Sequence, residues 1–508
     1  MLVSRKKITS WYLLIALNVL AVANAFAAEL PKAASSKQPN IILIMADDVS
    51  PDIFGVYGQA NAAKTPNIDR LAKQGVMFKT AYATAMCGPS RAQIMTGRYA
   101  NTTGAYHNMV WLNDSHKRLY KDNLAFAKVL KQAGYATAIA GKWHAGRQMP
   151  YENEVGFDEY SLWEMDHYIN ALPGGAKFTG LHEDKKTTSR YWHPAYVENG
   201  KLLNTKADDF GPDIEAKFLM DFIERKSKAK QPFLAYWPTV APHGSRQGFP
   251  STPHSGKVGF LGKRKDKKAE WQRFLALNEY LDHLVGKVLR KVEDLGISDN
   301  TIIIFTSDNG TAGKAKTRGV EKGVQVAHIV AGAGVKQRGA SDELTDFADI
   351  MPTLIDFANA QSYLPAGYQF DGQSLKPYLT GKTDSHRPWI YGYISGSQII
   401  RTKDYLLEVV NPMLGTPKGR LYKTGDSRWG QGYQLIKGEG ELGQAEHAQA
   451  AKKFAQILKQ FPPLTTDLSY FNSGRGKQFL KQYRQPKNVK RHLHNHKDYQ
   501  FYDESYIE

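Results

Sequence analysis

Four short, largely apolar runs constrain this chain more than any other feature: residues 41–46, 135–140, 233–237 and 301–306. The first is unbroken, and runs of this length and character are the pattern of parallel strands buried on both faces. Between them lie segments with helical spacing, at 67–75, 123–134, 213–224 and 271–295, and a further one follows at 349–358. The first two end at Gly75 and Gly134, which suit a helix C-terminus. Helices alternating with buried strands predict an α/β fold built on one sheet. After about residue 385 the texture changes. Short strands are expected at 389–394, 398–402, 405–410 and 420–422, with one helix at 444–461. This reads as a smaller C-terminal subdomain, antiparallel sheet plus helix, over 386–470, followed by a basic extension over 471–508.

Polar chemistry gathers where the four runs end. The first meets Asp47-Asp48, the second Gly141-Lys142-Trp143-His144, the third Pro242-His243-Gly244, and the fourth Ser307-Asp308-Asn309-Gly310. In open α/β sheets ligands bind beyond the carboxyl ends of the strands. Asp47, Asp48, Asp308 and Asn309 offer oxygen ligands, which suit a hard divalent cation such as Ca²⁺ or Mg²⁺ rather than zinc. Lys142 and His144 are two apart and share a face of an extended segment. With His243 they compose a cationic cage for an oxyanion.

The chain has one cysteine, Cys87, so a disulfide framework and a Cys-rich metal site are both excluded. It stands in Met86-Cys87-Gly88-Pro89-Ser90-Arg91, followed by Thr96-Gly97-Arg98. Pro89 suits the first turn of a helix and Gly97 its end. Cys87 is therefore expected at a helix N-terminus, where free N–H groups favour an anion, with Arg91 one turn inside.

At the N-terminus, Arg5, Lys6 and Lys7 precede an apolar run at 11–22 and the small-residue stretch Ala23-Asn24-Ala25-Phe26-Ala27-Ala28. The run is short for a membrane span, and the pattern is that of a signal peptide over 1–28, cut near Ala27 or Ala28. A polar linker over 29–38 follows. An exported protein, periplasmic or secreted, without a stable membrane span is expected. Removing Arg5, Lys6 and Lys7 lowers the formal net charge from +18 to +15.

Cys87-Gly88-Pro89-Ser90-Arg91 with Thr96-Gly97-Arg98 resembles the signature of the formylglycine-dependent sulfatases, of the alkaline-phosphatase superfamily. Other segments resemble the family in the same order: 40–48, 65–72, Gly141-Lys142-Trp143-His144, Ala241-Pro242-His243, 299–310, 349–353 and 371–375. The resemblance implies an alkaline-phosphatase-like central mixed β-sheet sandwiched by helices, forming a catalytic domain over 39–385. It implies that a maturation enzyme oxidises Cys87 to Cα-formylglycine (3-oxoalanine), whose hydrate attacks sulfur. It implies that Asp47, Asp48, Asp308 and Asn309 hold Ca²⁺ beside residue 87, and that Arg91 holds the hydrate. Lys142 and His144 would bind sulfate and the diol, His243 would protonate the leaving alcohol, and Lys316 would lie near the same bridging oxygen. The chain departs from the family at Lys322, Gln325 and Ala327. Spacing from Glu321 favours Lys316 over Lys314 and Lys322.

A sulfated polysaccharide or oligosaccharide is the expected substrate, because export and strong positive charge suit steering of a polyanion. His107 and Asn108 are expected to line the pocket; Trp163, His167, Arg190, Trp192 and His193 are candidate sugar contacts. Two other readings stand beside this one. One is an arylsulfatase or phosphonate monoester hydrolase of the same superfamily. The other is a non-catalytic polyanion binder, suggested by Lys263-Arg264-Lys265 and Lys267-Lys268. Nucleic acid is not an expected partner of an exported chain.

Overall fold

A computed structural model describes residues 38–461 except 59–61, 106, 109–118, 246, 261–265, 312–315, 413–414, 426–429 and 431, together with Lys477 and Lys481. The expected signal peptide, nearly all of the linker and the rest of the basic extension lie outside the described residues, as do Lys263, Arg264, Lys265 and Lys314. Among the described residues no helix is long and apolar enough to cross a membrane.

The strands, in chain order, are β1 (Asn40–Ala46), β2 (Val76–Tyr82), β3 (Ala136–Gly141), β4 (Glu159–Trp163), β5 (His182–Asp184), β6 (Thr187–Thr188), β7 (Tyr196–Glu198), β8 (Lys201–Leu202), β9 (Phe233–Pro238), β10 (Thr301–Ser307), β11 (His328–Gly332) and β12 (Gly339–Asp346). Ten of them form one mixed sheet in the order β12-β2-β11-β10-β1-β9-β3-β4-β7-β8, while β5 and β6 make a separate hairpin. The four runs expected to be buried strands are adjacent in this sheet, and β10, β1, β9 and β3 all run parallel. Register aligns their ends: Ala46 lies opposite Ser307, Met45 opposite Pro238, and Ile139 opposite Tyr236. Four parallel neighbours must deliver their C-terminal loops to one edge, which is how the polar clusters meet.

Alternation along β1 divides the core into two layers. Ile41, Leu43 and Met45 face one layer with helices Cys87–Thr96, Phe126–Gln132 and Ile350–Phe357. Ile42, Ile44 and Ala46 face the other, with helices Pro66–Gln74, Gly211–Lys228 and Lys267–Asp294. The chain is thus an α/β sandwich of the expected class. The helix expected at 123–134 starts later, at Phe126, because Asn123 turns its side-chain amide back to the Leu119 carbonyl of a preceding short helix. Strand β12, Gly-Ala-Ser-Asp-Glu-Leu-Thr-Asp, escaped the sequence reading because it is a polar edge strand with an irregularity between Ser341 and Leu344.

The C-terminal sheet adds β13 (Ile390–Ile394), β14 (Ser397–Arg401), β15 (Tyr405–Val410), β16 (Arg420–Lys423) and β17 (Gln434–Leu435), antiparallel throughout, with helix Ala445–Leu458 packed on it through Phe454 and Ile457. Arg387 ties this unit to the main body, donating to Asp346 (3.1 Å), Asp349 (2.6 Å) and the Tyr99 hydroxyl (3.0 Å). Tyr99 follows the Cys87 helix closely, so the same network braces that helix from behind.

Glu164, directly after β4, is buried, and that burial pushes its carboxyl up to about 8, opposed only by a hydrogen bond from the Met165 backbone. A carboxyl raised on folding binds its proton more tightly in the folded state. Its contribution is therefore fully present below about pH 4.5 and is lost as pH rises through about 8. Glu164→Gln removes this titration. Relative to the parent, the variant is expected to gain on the order of 2 kcal/mol between pH 5 and pH 9. Urea-unfolding midpoints of both proteins across that range check it; parallel curves would refute the assignment.

Candidate active site

The site is built where β1, β3, β9 and β10 end. Asp47 is fixed by its N–H donating to the Ala241 carbonyl (2.9 Å), which ties the β1 and β9 loops together. Asp48 adopts left-handed backbone (φ 63°), uncommon for a side-chain-bearing residue, and its N–H donates to Asp308 Oδ1 (2.9 Å). Gly141 makes the β3 exit possible: at φ 118°, a Cβ there would stand 2.2 Å from the Pro238 carbonyl oxygen.

Helix Cys87–Thr96 begins at the cysteine itself, as expected, and ends at left-handed Gly97. Ser90 forms the turn before it: its hydroxyl donates to the Thr84 carbonyl (3.0 Å) and accepts from the Thr84 N–H (3.1 Å). Gly97 is required on two counts, since a Cβ would also meet Phe370 at 2.8 Å. Arg91 is fully buried. It donates through Nε (3.2 Å) and Nη2 (3.0 Å) to Asp308 Oδ2 and through Nη1 to the Lys142 carbonyl (2.7 Å). One guanidinium thus joins the cysteine helix to the β10 and β3 loops.

Oxygen atoms of Asp47, Asp48 and Asp308 and the sulfur of Cys87 all lie within 4.8 Å of one another. Lys142 Nζ donates to Asp47 Oδ2 (2.6 Å), and Lys316 Nζ to Asp48 Oδ1 (2.5 Å). Asn309 Nδ2 also donates to Asp48 Oδ1 (2.8 Å). His243 Nε2 stands 3.3 Å from Asp48 Oδ2 and 3.4 Å from Lys316 Nζ. Asn108 brackets the cysteine, accepting from the Gly88 N–H (3.0 Å) and directing its Nδ2 at Sγ (3.5 Å).

The charges act on one another strongly because water is excluded. Burial opposes ionisation of Asp47, but Lys142, His243, Arg91 and Lys316 outweigh it and hold the carboxyl well below the usual range. Asp308 goes the other way, raised by burial and then by Asp47. Burial raises the Cys87 thiol, yet Lys142 and Lys316 bring it below its ordinary value. His144 is held well below its usual range by burial and by Lys142 and Arg91. His243 is lowered to about 3, chiefly by burial.

The donor set fits a hard divalent cation. Asp47 Oδ1 and Asn309 Oδ1 are buried without a hydrogen-bond partner, in the midst of three carboxylates. Buried oxygens in that state are costly unless a cation satisfies them.

The structure brings together Asp47, Asp48, Cys87, Arg91, Lys142, His243, Asp308, Asn309 and Lys316, and the coupling of His144 to Lys142 and Arg91 places it beside them. Lys322 instead lies near Asp52, whose carboxyl burial pushes up to about 6 against the opposing charge of Lys322. His107 is partly buried beside Asn108. The 157–196 segment is arranged differently from the expectation of sugar contacts. Trp192 is turned inward, in the core, with its indole N–H donating to the Ser251 carbonyl (3.0 Å). Arg190 is also buried, paired with Glu183, and Trp163 lies under its guanidinium (4.3 Å). His167 is exposed and rests on Tyr168, while His193 packs near Phe178; among the described residues neither hydrogen-bonds to the carboxylate cluster. Glu183 and Tyr191, which shape the His243 loop, were not found from sequence: in an irregular segment neither carries a periodic or motif signal.

A family model described as Sulfatase matches residues 39–360. The chain is 29% identical to N-acetylgalactosamine-6-sulfatase of Canis lupus familiaris, over 75% of this chain and 72% of that protein. It is 28% identical to an ulvan-active sulfatase of Formosa agariphila, over 67% of this chain and 65% of that protein. It is 25% identical to N-acetylglucosamine-6-O-sulfatase of Bacteroides thetaiotaomicron, over 85% of this chain and 87% of that protein. Among solved structures, Ps i-CgsB shares the fold, with a TM-score of 0.64 at 22% identity, covering 90% of this chain and all of that one.

Proposed function

Because the chain belongs to the sulfatase family, and is a sulfuric ester hydrolase, we propose that it removes sulfate from a sulfated carbohydrate through a nucleophile made from Cys87. The observation that carries this reading is the placement of Cys87: first residue of a buried helix, its sulfur within 4.8 Å of three carboxylates. Oxidised to Cα-formylglycine by a maturation enzyme, this residue supplies a hydrated aldehyde, with one hydroxyl for attack and a second for sulfate release. Asp47, Asp48, Asp308 and Asn309 would hold the cation, Ca²⁺ before Mg²⁺, which supplies positive charge for sulfate and nucleophile.

The chain's own residues do the rest. Arg91 fixes Asp308 and the Lys142 backbone, and so sets the distance between nucleophile and sulfate pocket. Lys142 and Lys316 hold sulfate oxygens, each already oriented by an aspartate. His144, kept neutral by burial and by Lys142 and Arg91, holds the proton of the hydrate. With the negative charge of bound sulfate beside it favouring the imidazolium form, His243 gives its Nε2 proton to the leaving oxygen near Lys316 and returns to neutral imidazole.

A carbohydrate substrate is supported by relatives named for sulfated sugars and by the formal positive charge, which steers polyanions. Export through a cleaved signal peptide, a catalytic domain over 39–385 and a subdomain over 386–470 belong to the same proposal. Sulfate release tests it, measured from N-acetylgalactosamine 6-sulfate, N-acetylglucosamine 6-sulfate, ulvan and carrageenan oligosaccharides, and 4-nitrophenyl sulfate. Turnover of at least one sugar sulfate, faster than of the aryl ester, is expected. Release from the aryl ester alone would favour the arylsulfatase reading, and binding of the glycans without release would favour a non-catalytic binder.

A further inference from the structure

We infer that Arg190, held by Glu183, is the positioning residue for His243 rather than a substrate contact. The inference rests on the proposed role of His243 as proton donor to the leaving oxygen. The guanidinium is spoken for on one side: Nε donates to Glu183 Oε1 (2.7 Å) and Nη2 to Oε2 (3.1 Å), a two-point pairing that fixes its plane. The face of the same group lies over Trp163. Both side chains of the ion pair are nearly inaccessible, at 7% and 2% exposure, so neither can greet a polymer at the surface. The remaining nitrogen, Nη1, ends 3.0 Å from His243 Nδ1.

His243 Nδ1 is also 2.7 Å from the Gly244 carbonyl oxygen. A guanidinium can only donate and a carbonyl can only accept, so Nδ1 has a partner in either state: unprotonated it accepts from Arg190, which leaves the ring N–H on Nε2, and protonated it donates to the Gly244 carbonyl. The opposite nitrogen, Nε2, is thereby left aimed at Asp48 and Lys316. The neighbouring residues reinforce the same loop. The Tyr191 hydroxyl reaches the carbonyls of Val240 (3.2 Å) and His243 (2.8 Å), and Trp192 anchors Ser251. Segment 189–192 is thus a strap across the His243 loop, and Glu183 on β5 fixes the strap's charged end.

A proton donor matters most when the leaving group is poor. The test is a series of aryl sulfates of decreasing leaving-group acidity, from 4-nitrophenyl to phenyl to 4-methoxyphenyl sulfate, assayed on the mature enzyme and three variants. The parent should show a shallow dependence of kcat on leaving group. His243→Ala should steepen it, with phenyl sulfate falling by about a hundredfold or more. Arg190→Met should steepen it in the same direction with KM little changed, the loss on phenyl sulfate exceeding that on 4-nitrophenyl sulfate by about tenfold. Glu183→Gln, which keeps the size of the group and weakens its hold, should give a smaller loss of the same pattern. It also serves if Arg190→Met does not fold. A raised KM with an unchanged slope in the Arg190 and Glu183 variants would overturn the inference and restore Arg190 as a binding residue. An unchanged slope in His243→Ala would overturn the role of His243 itself, which separates the two failures.

Discussion

Cys87→Ala is expected to abolish sulfate release, by at least about 10⁴-fold, while leaving the fold intact. The side chain is small and buried at the start of a helix, and among the described residues its one side-chain hydrogen-bond contact is the long approach of Asn108 Nδ2. Alanine keeps the helical backbone, and the Gly88 N–H keeps its partner on Asn108. What disappears is the atom from which the proposed nucleophile is made. The lysines, histidines and carboxylates remain, so glycan binding should survive the loss of turnover. Sulfate release and thermal unfolding measured together decide the matter. Retained turnover would refute the proposed nucleophile, and an unfolded variant would show that the thiol is structural. Mass spectrometry of the parent's peptide around residue 87 adds an independent reading, since the proposal requires an aldehyde there.

Stripping divalent cation is the second large effect expected. Dialysis against a chelator should lower activity by at least about a hundredfold, with recovery on adding Ca²⁺ and a smaller recovery on adding Mg²⁺. The reason lies in Asp47, Asp48 and Asp308, three buried carboxylates with two orphaned oxygens beside them on Asp47 and Asn309. Lys142, Lys316 and Arg91 reach one oxygen on each carboxylate but leave Asp47 Oδ1 and Asn309 Oδ1 without a partner among the described residues. Stability should follow activity. A ligand present at a thousand times its Kd stabilises the folded state by about 4 kcal/mol, so the chelated protein should melt at a clearly lower temperature. A chelated sample that keeps both its activity and its melting temperature would rule out a resident cation.

Much of the fold was legible because it is written in local patterns. Strand β1 shows an apolar run, its alternation assigns side chains to two layers, and Gly97 marks the end of the cysteine helix; each needs only neighbouring residues to be read. The same holds for Asp47, Asp48, Asp308 and Asn309, since a strand end fixes where its next two side chains go. Strands such as β4, β11 and β12 were not legible in this way, being short, mixed in polarity or at an edge.

The site divides along the same line. The sequence alone determined that the one cysteine begins a helix, that oxygen ligands and cations follow four buried strands, and that these chemistries belong together. Only the tertiary structure separated two of the candidate lysines, placing Lys316 on Asp48 and Lys322 towards Asp52. It also turned Arg190 and Trp192 inward, from expected sugar contacts to a strap behind His243. The physical reason is that 164–195 has little regular structure to give its side chains a period. Their directions are set by bends such as left-handed His193 and by partners far along the chain, Glu183 for Arg190 and Ser251 for Trp192.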